Sequence, residues 1–251
     1  MPVAPSSTTR AVVRVWHASA EDRWTSDDDR ARALAWLSPA ERARFDRYRR
    51  DLDRDMFLLG RVMARALVGR ALGVAPTGWT WAEGPRGRPD VAGDRGTPPI
   101  SFNLAHSGGL VVCAIARGLT VGVDVEDRRR ASIGRELAAR ACTAEELAAI
   151  EAAGEDGWRD CFLRHWTLKE AYLKGRGLGI AQHLTDVAFA EGDGQAAPRL
   201  VLHRALAGDD ARWAFALREL APAHYVAVAA AHGAATPPAF DLQPLPRDLL
   251  P

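Results

Sequence analysis

Lysine is almost missing from this chain of 251 residues: of 33 basic residues only Lys169 and Lys174 are lysine, and the others are arginine. An Arg- and Ala-rich coding bias accounts for the arginines, but not for two lysines kept close together. Neither sign of charge is in excess, with 33 Lys+Arg against 32 Asp+Glu and a formal net charge of +1. Nothing general therefore draws the chain to nucleic acid or to a membrane surface. Cysteine is scarce, and Cys113, Cys142 and Cys161 are far apart with no C-x-x-C pair. That excludes a disulfide framework or a zinc site and fits buried thiols in a reducing compartment. Long apolar runs are missing as well: stretches such as Leu110–Ala116 and Tyr225–Ala231 fall far short of the ~20 residues that span a bilayer. The opening MPVAPSSTTR carries no basic-then-apolar leader pattern, so a cytoplasmic location is expected. The G-x-G-x-x-G and Walker patterns are also absent.

What remains is an ordinary globular composition, 47% hydrophobic and 26% charged, of a length for one large domain or two small ones. Strands are predicted at Ala11–Trp16, Trp79–Ala82, Ile100–Leu104, Leu110–Ala116 and Thr120–Glu126, and again at Asp186–Ala190, Arg199–His203, Trp213–Arg218 and Tyr225–Ala231. Ser38-Pro39 reads as a helix start, opening an Arg-rich helical region that runs to Gly73. Further helices are expected at Ser132–Cys142, Ala144–Ala153 and Trp158–Lys174. Strand, helices, strands thus occur once in residues 11–118 and once in 119–232. The class is α+β with mostly antiparallel sheet. Residues 1–10 and the Pro-rich 233–251 read as flexible tails, Glu83–Pro99 as a loop, and Asn103–Gly109 as a polar turn.

Four segments carry chemistry. In Val121-Gly-Val-Asp-Val-Glu126, strand alternation puts Gly122, Asp124 and Glu126 on one face, with the glycine leaving space beside two carboxylates. Such a pair suits a hard divalent cation with phosphate ligands; a wet acidic strand edge is the other reading. In Trp166-Thr-Leu-Lys-Glu-Ala-Tyr-Leu-Lys174, helical spacing lines up Trp166, Glu170 and Lys174, with Lys169 rotated off that line. Compact ammonium groups beside a glutamate suggest a confined polyanion site, against a plain Glu–Lys helix pair. His106, in the polar turn, is either a phosphate donor or a turn hydrogen bond. Arg86 and Arg88, in Gly84-Pro-Arg-Gly-Arg-Pro89, offer planar forks for phosphate or a solvated loop.

With Gly87-Arg-Pro89, Phe102-Asn-Leu-Ala-His-Ser107, Gly122-Val-Asp-Val-Glu126 and Trp166-x-x-Lys-Glu-Ala-x-x-Lys174 in this order, the chain resembles the Sfp-type 4'-phosphopantetheinyl transferases. The resemblance implies a monomer of two pseudo-two-fold-related halves, each a small antiparallel sheet packed with helices, with coenzyme A between them. It implies Mg²⁺-dependent transfer of the phosphopantetheine arm to a serine of an apo carrier protein domain, of a fatty-acid, polyketide or peptide synthetase, releasing adenosine 3',5'-bisphosphate. Asp124, Glu126 and Glu170 would then hold Mg²⁺, Glu170 and Lys174 would be catalytic, and Arg44, Arg86, Arg88, Asn103, His106, Lys169 and Lys174 would contact the coenzyme. Ala105 stands where the family often has serine, so that phosphate bond is either missing or supplied by Ser107. Two rival functions are a non-catalytic coenzyme A or nucleotide binder, which has no use for all three acids, and a Mg²⁺-dependent phosphohydrolase, which has no use for the Lys-Glu-Lys helix.

Overall fold

The computed structural model describes residues 10–24, 26–93, 95–130, 134–178, 184–190, 197–202 and 212–251. The first half runs β1 (Val12–Ser19), α1 (Asp27–Leu34), α2 (Pro39–Asp46), α3 (Asp51–Leu72), β2 (Trp81–Glu83), β3 (Pro89–Val91), β4 (Ile100–Ser107) and β5 (Leu110–Arg117). The second runs β6 (Thr120–Asp127), α4 (Arg135–Ala141), α5 (Ala144–Ala152), α6 (Gly154–Arg176), β7 (Val187–Ala190), β8 (Arg199–Leu202), β9 (Arg212–Leu220) and β10 (His224–His232), before β11 (Ala239–Pro244).

Each half builds the same antiparallel unit. The strand orders β1-β5-β4 and β6-β10-β9 both place the opening strand beside the last and the last beside the middle one. Each sheet carries one long helix preceded by a short one. The short helices α2 and α5 open with capping boxes, Ser38 with Glu41 and Thr143 with Glu146, in which the N3 glutamate closes back onto the cap amide. The long helices α3 and α6 stop at Gly73 and Gly177, with φ of 75° and 66°, the left-handed conformation that glycine adopts without strain.

Three apolar clusters stack the layers. Leu58, Leu59, Val62 and Met63 of α3 meet Phe102, Val111, Cys113 and Ile115. Leu168 and Tyr172 of α6 meet Phe215, Ala227 and Ala229. Between the sheets, Val13, Val15, Val112 and Ala114 pack with Val121, Val123, Val125, Val226 and Val228, each buried valine contributing about 1.5–3 kcal/mol. The valines of β6 thus face the other sheet, which sends its polar positions toward α6.

The halves also meet edge to edge, where β4 runs parallel to β6. Side chains of β4 take up the amides of β6: Val121 N–H donates to Ser101 Oγ (3.3 Å), Val123 N–H to Asn103 Oδ1 (3.0 Å) and Asp127 N–H to Ser107 Oγ (3.1 Å).

Several expectations need correction. Residues 233–251 are not a loose tail: β11 pairs in parallel with β1 from Val12↔Ala239 to His17↔Pro244, and Leu245 and Leu250 enter the first-half core. Proline is tolerated at such a sheet edge, where an amide can be spared. The turn expected over Asn103–Gly109 is strand as far as Ser107, and only Gly108 and Gly109 turn, with φ of 55° and 85°. Two positive φ values make the tight hairpin that matches strand twist. The expected loop at Glu83–Pro99 contains β3, paired to β2, and α1 was not foreseen. Residues 1–9 of the expected N-terminal tail, Ser132 and His203 lie outside the described residues. Among the described residues no helix is long and apolar enough to cross a membrane.

Candidate active site

Close contact between a strand and a helix creates the site. A Cβ on Gly122 would lie 2.1 Å from the Ala171 carbonyl oxygen and 2.4 Å from Gly175 N, so β6 can press directly onto the backbone of α6. The space that Gly122 leaves is therefore filled by α6, and the acidic face of β6 is covered rather than open. Asp124, Glu126 and Glu170 are only 4%, 7% and 3% exposed.

The helix stripe read from spacing lands on those acids. Lys174 Nζ pairs with Asp124 Oδ1 at 2.5 Å, and Trp166 Nε1 donates to Glu126 Oε1 at 3.0 Å. Ser107 Oγ donates to Glu126 Oε2 at 3.2 Å, and Arg130 reaches the same carboxylate at 3.3 Å. Glu170 lies within electrostatic reach of Asp124, Lys174, Glu126 and Arg130. Burial first, then the Asp124 charge, pushes the Glu170 carboxyl up to about 8, against the pull of Lys174. Burial likewise lifts Asp124 to about 6 against Lys174, with Glu126 adding to the push. Burial opposes the Lys174 charge, but Asp124 outweighs it and the ammonium is held above its ordinary value. The site thus contains an Asp124–Lys174 ion pair, a hydrogen-bonded Glu126 and a Glu170 whose proton is held more tightly than that of an ordinary carboxyl.

Two buried oxygens, Asp124 Oδ2 and Glu170 Oε1, have no hydrogen-bond partner among the described residues. Orphaned carboxylate oxygens at this depth are costly unless something binds them. An all-oxygen donor set of this kind suits a hard divalent cation. Among the described residues no group of three or more His, Cys, Asp or Glu is already arranged to hold an ion; Lys174 engages Asp124, while Ser107, Trp166 and Arg130 engage Glu126.

His106 stands exposed on β4 near this cluster: the surrounding protein first, and the Lys174 charge second, hold its imidazole below the ordinary pKa. Arg88 comes to the seam already committed, NH1 donating to Gly175 O (2.7 Å) and NH2 to Ser101 Oγ and Val121 O (both 3.1 Å). Arg86, at a left-handed φ of 56°, donates to Gly177 O at 3.1 Å. Both arginines therefore hold the first-half loop against the last carbonyls of α6. Arg44 is exposed on α2, 3.7 Å from Glu83 and over the Phe57 ring.

Three assignments change. Lys169 is not turned toward the acids: its side chain is 1% exposed and pairs with Glu146, and Nζ also donates to Ala141 O (2.7 Å) and Leu184 O (2.9 Å). Three protons meet three acceptors, so none is left for phosphate. Asn103 is 3% exposed and serves the seam through Val123. Ser107, the one candidate substitute for the missing serine at Ala105, instead spends its hydroxyl on Glu126 and the Asp127 amide.

Glu146 was missed altogether, although Thr143-x-x-Glu146 is a capping-box signature. Its Oε2 accepts from Thr143 N–H (2.9 Å), its Oε1 accepts from Phe189 N–H (3.1 Å), and His165 Nδ1 stands 3.4 Å from Oε1.

Residues 120–230 match the model of the 4'-phosphopantetheinyl transferase superfamily, and residues 22–117 match that of the 4'-phosphopantetheinyl transferase N-terminal region. A phosphopantetheinyl transferase of Thraustochytrium sp. is 33% identical over 237 residues, 90% of this chain and 81% of its own. 4'-Phosphopantetheinyl transferase HetI of Nostoc sp. is 33% identical over 148 residues, 59% of this chain and 62% of its own. 4'-Phosphopantetheinyl transferase Sfp of Bacillus subtilis is 26% identical over 160 residues, 64% of this chain and 69% of its own. A solved holo-(acyl-carrier-protein) synthase from Bacillus anthracis, in complex with CoA (3',5'-ADP), aligns with 45% of this chain and 94% of its own at 17% identity and a TM-score of 0.38. On the family models and the Thraustochytrium match, this chain belongs to the 4'-phosphopantetheinyl transferase superfamily, enzymes that move phosphopantetheine from coenzyme A to carrier proteins.

Proposed function

We propose that this chain transfers the 4'-phosphopantetheine arm of coenzyme A to a serine hydroxyl of an apo carrier protein at the β6–α6 site, as a cytoplasmic monomer. Asp124, Glu126 and Glu170 are the residues that would hold Mg²⁺. That ion, when bound, neutralises pyrophosphate charge in a displacement that depends on positioning more than on covalent help. The observation that carries this reading is the buried acid cluster with two orphaned oxygens, Asp124 Oδ2 and Glu170 Oε1, beside Lys174.

In the reaction the serine oxygen bonds to the pantetheine-side phosphorus, and the bond from that phosphorus to adenosine 3',5'-bisphosphate breaks. Lys174, released from Asp124, meets the charge growing on the leaving phosphate. Glu170 takes the serine proton as the carboxylate that a bound cation would favour; without that cation, burial and the Asp124 charge hold its carboxyl up at about 8. His106, exposed beside Lys174, contacts a coenzyme phosphate, and Arg44 and the loop carrying Arg86 and Arg88 form the basic rim. Carriers of fatty-acid, polyketide and peptide synthetases all present the required serine.

Incubation with coenzyme A, Mg²⁺ and an apo carrier protein, followed by weighing the carrier, tests the proposal. A Mg²⁺-dependent gain of one phosphopantetheine mass is expected. Nucleotide release with no gain on any carrier would point to a phosphohydrolase, and binding without turnover would point to a coenzyme A-binding module.

A further inference from the structure

We propose that Lys169 is a positioning residue: by filling a tripod of buried acceptors it fixes the rotation of α6 that turns Glu170 and Lys174 toward Asp124, and it holds no phosphate. This rests on the transferase reading above.

The three acceptors come from three separate segments. Glu146 belongs to α5, Ala141 ends α4, and Leu184 opens a 3₁₀ turn after α6. One ammonium therefore ties α6 to everything packed on that flank. His165, four residues earlier on the same stripe, faces the same Glu146 carboxylate at 3.4 Å. Two points on one stripe fix a helix in rotation as well as in height. Glu146 is itself held by the Thr143 and Phe189 amides, so the pin has a rigid anchor.

Helix geometry carries the constraint to the site. At about 100° per residue, Trp166, Glu170 and Lys174 lie at about 60°, 100° and 140° from Lys169. The pin and the site therefore occupy neighbouring faces of one cylinder, and a rotation that frees Lys169 also swings Glu170 off Asp124. The tripod also accounts for the residue type. A guanidinium is planar, longer and has five donors; at 1% exposure it would clash or leave donors unmet. One of the two lysines is thus kept for the buried tripod and the other for the acid cluster.

The test compares Lys169→Met and Lys169→Met/Glu146→Gln with wild type. The readouts are kcat and KM for coenzyme A by carrier mass gain, circular dichroism, and Mg²⁺ affinity of the coenzyme-free protein by calorimetry. The double variant removes both buried charges together, so it retains the readout where the single variant does not fold. The expected result is kcat lowered about 10-fold or more and Mg²⁺ affinity weakened about 10-fold, as for residues that orient metal ligands, with KM for coenzyme A within about two-fold and native dichroism. A rise in KM with kcat unchanged would make Lys169 a phosphate contact and overturn the proposal. A lowered melting temperature with kcat, KM and Mg²⁺ affinity all unchanged would overturn it as well, leaving only a structural role. If wild type labels no carrier, the transferase reading fails separately, and loss of Mg²⁺ affinity in the folded variants still supports the pin.

Discussion

In the first half, Glu41 of α2 reaches Arg65 of α3 at 2.5 Å, with Arg61 one turn earlier at 3.8 Å. In the second half, Glu146 of α5 meets Lys169 of α6, with His165 one turn earlier. Both glutamates sit at the N3 position of a capping box, and all six side chains are buried. The device is the same, but its surroundings differ. Arg61 and Arg65 lie over Trp81 and Trp79, and burial drops Arg61 to about 10. The residue after Arg65 is Ala66, a core alanine; the residue after Lys169 is Glu170. One half uses its pin only to close a core, and the other uses the same pin to aim an acid. A repeated scaffold thus needs chemistry in only one copy.

Removing the anchors separates the two roles. Glu41→Gln and Glu146→Gln each leave buried cations uncompensated and should each cost about 3–5 kcal/mol in urea unfolding. Only Glu146→Gln should also lower kcat per folded molecule; equal kcat losses from both would erase the distinction between the halves. Gly122→Ala has a different cause, because its Cβ would meet rigid backbone of α6 at 2.1 Å. Prising α6 from β6 should cost about 1–3 kcal/mol and reduce carrier labelling together with melting temperature; full activity would mean that the contact is dispensable.

The pins also set an acid limit. Burial raises both carboxyls, but the bonds of Arg65 and Ser38 to Glu41, and of His165 and Lys169 to Glu146, hold them below the ordinary 4.5. A depressed acid contributes stability above its unfolded value and loses it as pH falls through the folded one. The stability gap between wild type and either Gln variant should therefore be full at neutral pH and close as pH drops below 4.5; a gap constant through the acid range would contradict ionised pins. The smallest effect is expected from Trp166→Phe, which removes a single bond to Glu126. A loss of about 1 kcal/mol, read as weaker Mg²⁺ binding by calorimetry, should leave the fold intact.

Much of the site was legible because two periodicities carry it. Alternation along Val121–Glu126 put Asp124 and Glu126 on one face, and helical spacing lined up Trp166, Glu170 and Lys174. Most strands and the paired architecture followed from the same patterns. What stayed hidden depends on tertiary partners without a sequence signature. The acceptors of Lys169 include two backbone carbonyls, Ala141 O and Leu184 O, which any residue supplies. Gly122 signalled space without saying that a helix fills it. β11 was hidden by the prolines in and around it, since only a partner strand distinguishes an edge from a tail. The resemblance puts Asn103 at the coenzyme and makes Ser107 a candidate for a phosphate bond, and nothing in the chain announces that β6 lies alongside β4.

The most direct measurement is carrier labelling by Glu170→Gln. The substitution removes the acid while keeping shape and should relieve burial of a carboxyl raised to about 8. Labelling is expected to fall by about 10²–10⁴-fold, the range for a lost general base, in a protein whose melting temperature is unchanged or higher. Near-normal turnover in that folded variant would contradict the assignment of the chemistry to the second half's helix.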